Sequence, residues 1–94
     1  MFVIAHHFIQ QPEEFWSQAQ QVTNIIPATL KLHAVFPSRD LRTGTCIWEA
    51  SALNEVQSFL DNMTGNMAKN VCYEVNETIA MGLPQKTMEA AMPA

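Results

Sequence analysis

Glycine is scarce in this chain: Gly44, Gly65 and Gly82 are the only three, too far apart to form a phosphate-cradling loop. That disfavours ATP-dependent chemistry. No serine sits in a nucleophile-elbow context, which disfavours triad hydrolysis. Basic residues are also few, with Lys31, Arg39, Arg42, Lys69 and Lys86 set against nine acidic residues for a net charge of −4. They are scattered, so no cationic stripe is available to neutralise phosphates and nucleic acid is not an expected partner. The longest apolar run, Phe2 to Ala5, is too short to span a bilayer, so no membrane partner is expected. No basic region followed by a long apolar segment marks a secretion signal. A cytoplasmic location is the expectation.

Cysteine is limited to Cys46 and Cys72, which lack the spacing of a redox or zinc motif. Free thiols are expected in a chain without a secretion signal. Charge of either sign is low, at 15% of 94 residues against the usual quarter or so. A small domain this poor in charge solvates itself with amides or hides surface in a partner. Oligomerisation is the first inference.

What is present is a clear alternation of elements. Phe2 to Ile9 is rich in β-branched and aromatic residues and reads as a strand stopped by Pro12. Pro12-Glu13-Glu14 is a helix start, and Phe15, Ala19, Val22 and Ile26 recur at helical spacing. Leu30 to Phe36 and Thr45 to Ala50 read as two strands joined by a polar turn. Ser51 suits an N-cap, Leu53, Val56, Leu60 and Met63 form the stripe of a second helix, and Gly65 suits its C-cap. Val71 to Val75 is the last strand. Residues 1–84 form one domain, followed by a tail, 85–94, without strong structural signals.

The order β-α-β-β-α-β is the ferredoxin-like pattern, an α+β fold with spatial strand order 4-1-3-2 and both helices on one face. Cys46 and Cys72 would then flank the first strand, about 9–10 Å apart, beyond the roughly 7 Å limit for a disulfide. Bulk suggests that Phe2, Ile4, Phe8, Leu30, Leu32, Phe36 and Trp48 face the helices. The open face would carry Val3, Ala5, His7, Ile9, Val35, Ile47 and Glu49, with His33 and Glu74 joining if the register holds. Adjacent strand residues point to opposite faces, so His6 and His7 cannot share one ion; His7 is favoured for the open side. Covering that face with a second copy would enclose a lumen, giving a homodimeric α/β barrel.

The segments LKLHAVFPS, CIWEA and Asn70-Val71-Cys72-Tyr73-Glu74-Val75 with the later Gly82-Leu83-Pro84 are similar to small bacterial members of the dimeric α/β-barrel superfamily. That resemblance implies a homodimer. Its relatives include cofactor-free monooxygenases, polyketide-type cyclases, muconolactone isomerases and a nickel-binding protein. In its enzymes a lumen His or Tyr often handles a substrate proton, which makes His33 and Tyr73 the carry-over candidates for catalysis.

On the residues alone, Glu74, His7, Glu49 and His33 could form a row across the sheet that binds a small ligand. Histidine with carboxylate can hold a transition metal or serve as base and orienting partner. The row spans roughly 14 Å over three strand gaps, so only His33 and Glu49, helped by His7, could serve one ion. The plainer alternative is a cross-strand pair that only hydrogen-bonds. The reading that leads is a small-molecule or metal-binding homodimer, followed by a cofactor-independent monooxygenase or cyclase with a lumen His as base. A purely structural subunit is the third.

Overall fold

Pro12 at the first helical position and the acids behind it start a helix where expected, and the computed structural model, which describes residues 1–87, builds the rest around it. The elements are β1 (Phe2–Ile9), α1 (Pro12–Gln21), a 3-10 turn (Val22–Asn24), β2 (Leu30–Pro37), β3 (Thr43–Ala50), α2 (Leu53–Thr64) and β4 (Ala68–Glu74). The strands form one antiparallel sheet in the order β2-β3-β1-β4, the order expected of a ferredoxin-like α+β fold. No helix among the described residues is long and apolar enough to cross a membrane. Residues 88–94, the greater part of the tail read from sequence, lie outside the described residues.

One of the two expected caps of α2 differs from expectation. Ser51 does not cap α2: its hydroxyl donates to Glu55 Oε1 at 3.0 Å, and Ala52 holds the N-cap position. Gly65 does end α2, with a φ of 51° that only glycine adopts without strain.

The core lies between the helices and one sheet face. Val56 and Leu60 of α2 pack on Val3, Ala5, Leu30, Cys46, Trp48 and Ala50, while Phe15 of α1 packs on Ile9 and Ala68. The helix-facing side of β1 is therefore Val3, Ala5, His7 and Ile9, the reverse of the assignment made on bulk. The register explains it. Val3 pairs with Trp48, Ala5 with Cys46 and His7 with Gly44, and cross-strand partners share a face. Once Trp48 fills the space beneath the helices, small residues must lie opposite it. Gly44 obeys the same constraint, since a Cβ there would stand 2.9 Å from the Trp16 ring.

A β-bulge changes the faces of β2. Leu30 and Leu32 pair with Ala50 and Trp48 on the helix side, but the register shifts between Leu32 and Ala34. The extra residue is His33. Beyond it Val35 rejoins the helix side, and Ala34 and Phe36, expected under the helices, lie on the open face. One inserted residue exchanges the faces of everything that follows it.

Candidate functional site

The open face reads as four rows across the sheet. Near one end His33 and Lys31 of β2 meet Glu49 of β3 and Phe2 of β1. Next come Ala34, Ile47, Ile4 and Tyr73, then Phe36, Thr45, His6 and Val71, and last Thr43, Phe8 and Lys69. Phe36 is 59% exposed and Phe8 52%, with Tyr73 and Val71 also exposed. The helix side of the sheet is buried at β1 and β3, with Val35 and Glu74 exposed on the edge strands. Three rows of the open face are not buried.

The first row is different. His33 Nε2 lies 2.8 Å from Glu49 Oε1, with side-chain exposures of 8% and 1%. The bulge aims His33 at the carboxylate. Residues that follow β4 return over this row: Thr87 donates its backbone N–H to Glu49 Oε1 at 3.1 Å, and Lys86 bonds Glu77 at 2.7 Å while standing 5.9 Å from the Phe2 ring centre. Phe2 also packs edge-on against His33, ring centres 5.4 Å apart. With Nε2–H donating to the carboxylate, neutral His33 keeps Nδ1 as its basic nitrogen. A histidine oriented by a carboxylate in this way can bind a hydrogen-bonding ligand or accept a proton.

Of the residues expected to form the site, the structure brings together His33 and Glu49. Tyr73 lies on the open face, but its ring stacks near His6, 5.9 Å between centres, rather than near His33. Glu74 pairs with Val3 and so belongs to the helix side, where it is exposed at the edge strand. His7 is also on the helix side and only 2% exposed, because the register sets it opposite Gly44. His6 takes the open face, its Nδ1 3.1 Å from Thr45 Oγ1. Among the described residues no group of three or more His, Cys, Asp or Glu side chains is arranged to hold a metal ion.

Sequence reasoning missed a second polar constellation. His7 Nδ1 lies 2.7 Å from Asn70 Oδ1, and His7 Nε2 lies 3.0 Å from Cys46 Sγ. These residues are far apart in the chain and meet only through the pairings Ala5–Cys46 and His7–Asn70. Cys46 and Cys72 are both free thiols, as expected.

Burial holds the His7 pKa below the ordinary 6.5, with Asn70 opposing and His6 adding to the shift. Below pH 6.5 the unfolded chain therefore binds a proton that the folded chain refuses, and stability falls as pH drops through 6.5 toward the lowered value. The expected slope for this group is up to about 1.4 kcal/mol per pH unit. Thermal melts of His7→Leu should lose that part of the acid dependence; an unchanged dependence would contradict the assignment.

No protein-family model matches the chain, and no curated protein or solved structure is significantly similar to it.

Proposed function

We propose that the chain works as a homodimer whose open sheet faces meet, in the manner of the dimeric α/β barrels, and that the enclosed lumen binds a small, mainly apolar molecule with a hydrogen-bonding group. The observation that carries this is the pairing, on one sheet face, of three uncovered apolar rows with the nearly buried His33–Glu49 pair. The uncovered rows measure roughly 19 Å by 20 Å, or about 400 Å² in projection. Residues at the rim would have to add to that area to reach the roughly 800 Å² each partner contributes to a standard interface. Patches of this kind mark interaction sites.

A second copy is the occupant that suits the face. Its rows hold no carboxylate and only the rim Lys69 as a fixed charge, so no oppositely charged partner is called for. A mainly apolar surface with little fixed charge can meet its own copy across a two-fold axis without opposing like charges. Phe8, Phe36 and Tyr73 would then line the cavity, and His33 with Glu49 would form its polar end. The two free thiols suit a reducing compartment such as the cytoplasm.

A second reading uses the same pair. Glu49 orients the His33 ring, which is what a general base needs, so a cofactor-independent monooxygenase or cyclase acting on a hydroxyaromatic substrate fits the same pocket. Calorimetric titration with 2-naphthol, a hydroxyaromatic probe, tests both. Saturable binding is expected, weakened at least about tenfold (about 1.4 kcal/mol) by His33→Ala. Binding unchanged by that substitution, or absent from a protein that is a dimer, would overturn the lumen site.

A further inference from the structure

Beneath the helices, three strands contribute side chains to a line running Asn70, His7, Cys46, and the direction of every hydrogen bond along it is set from the far end. The Thr64 hydroxyl donates to the Ala68 carbonyl at 3.5 Å and so accepts from Asn70 Nδ2 at 2.8 Å. The other Asn70 amide proton goes to Asp61 Oδ1 at 3.1 Å. With both protons committed, Asn70 presents its carbonyl oxygen to His7 Nδ1, which must therefore carry the ring proton. That leaves the lone pair of His7 Nε2 facing Cys46 Sγ, so the thiol donates to the imidazole. Nucleophile, base and orienting amide stand in the sequence that activates a thiol.

The line opens on a cavity of about 50 Å³, lined by His7, Cys46 and Leu32 of the sheet and by Phe15, Leu60 and Met63 among the apolar side chains of the helices. Val35, which also lines it, is 38% exposed. A water's share of liquid volume is about 30 Å³, so the space admits a reagent of only a few heavy atoms. The apolar walls exclude a charged one.

We propose that Cys46 is a covalent-modification site for small, uncharged electrophiles of the α,β-unsaturated carbonyl class, with His7 as its base and Asn70 as a positioning residue. The sulfur adds to the β-carbon of the acceptor while the thiol proton passes to His7 Nε2. His7 then returns that proton to the α-carbon as the enolate collapses. The product is a thioether, and no further reactant is consumed.

Burial supports this route over a free thiolate: it pushes the Cys46 thiol up to about 12 and keeps His7 neutral. The titratable groups around the pair are His6 beside His7 on β1, Cys72 across Ala5 on β4, and Asp61 of α2 behind Asn70. α1 brings only uncharged side chains to the cavity.

Cys72 is the internal control, being more exposed and less strongly shifted, to about 11. If exposure and acidity alone governed, it would react first with every reagent. Alkylation of the full chain by acrylamide, followed residue by residue by mass spectrometry, should instead modify Cys46 at least about tenfold faster than Cys72, while iodoacetate prefers Cys72. Between neutral and mildly alkaline pH the Cys46 rate should stay nearly flat, whereas Cys72 should rise about tenfold per pH unit as thiolate forms. His7→Leu should slow Cys46 at least about tenfold and restore that slope, and Asn70→Ala should act in the same direction. The unsubstituted chain's pH profile carries the test even if neither variant folds. Acrylamide modifying Cys72 first, or a Cys46 rate climbing with the same slope as Cys72, would overturn the proposal.

Discussion

On the proposed pairing of sheet faces, Phe36→Asp should leave the chain monomeric with its fold intact. Phe36 is 59% exposed, so its replacement removes little packing within the chain. In a two-fold dimer the same carboxylate appears twice on a mainly apolar surface, with Lys69, three strands away in the same protomer, as the one fixed cation of the uncovered rows. Ala34, Thr45 and Ile47 are its neighbours on the uncovered rows, with His6 beyond Thr45 in the same row. Burying an unpaired charge costs several kcal/mol, or neutralises it at a comparable cost. A loss of about 3 kcal/mol or more corresponds to at least roughly a hundredfold weaker association. Sedimentation of Phe36→Asp beside Ile25→Asp checks this. Ile25 is comparably exposed but follows the 3-10 turn, away from the sheet, so its substitution should leave association unchanged. Equal effects of the two would mean that the sheet face has no special role.

The other large effect lies in the core. Trp48 is 1% exposed, opposite Val3 and Leu32, with its ring centre 5.8 Å from that of Phe59. Trp48→Ala should cost about 3–5 kcal/mol through lost burial and the cavity left behind. That is a large part of the roughly 5–15 kcal/mol a whole domain has. Trp48→Phe should behave very differently. The indole Nε1 is buried without a hydrogen-bond partner among the described residues. Removing an orphaned donor offsets about 1–3 kcal/mol of what the smaller ring loses. Urea unfolding should find the Phe variant within about 1.5 kcal/mol of the parent, the range of well-tolerated core exchanges. A Phe variant as damaged as the Ala variant would show that the indole N–H has a partner after all.

These two residues also mark how far the sequence could be read. Element order, strand order and the helix-facing position of Trp48 were legible, because periodicity and the Pro12 and Gly65 signals are local. The faces of β1 were not, because bulk is a poor guide where one large side chain excludes others. Trp48 takes the space that Phe2 or Ile4 would need, and only the pairing of Val3 with Trp48 reveals it. Phe36 was assigned to the helix side because strict alternation from Leu30 places it there. The bulge at His33 has no signature in LKLHAVFP, yet it moves Phe36 to the open face. The His33–Glu49 pair was legible from alternation before the bulge. The Cys46–His7–Asn70 line was not, since its members come from three strands and two registers.

Sedimentation equilibrium of the unsubstituted chain at micromolar concentration tests the central claim most directly. A single species of twice the chain mass is the expected result, because three apolar rows of the sheet are otherwise left to solvent. A monomer at that concentration would contradict the shared lumen and return His33 and Glu49 to the role of a cross-strand pair under residues 86 and 87.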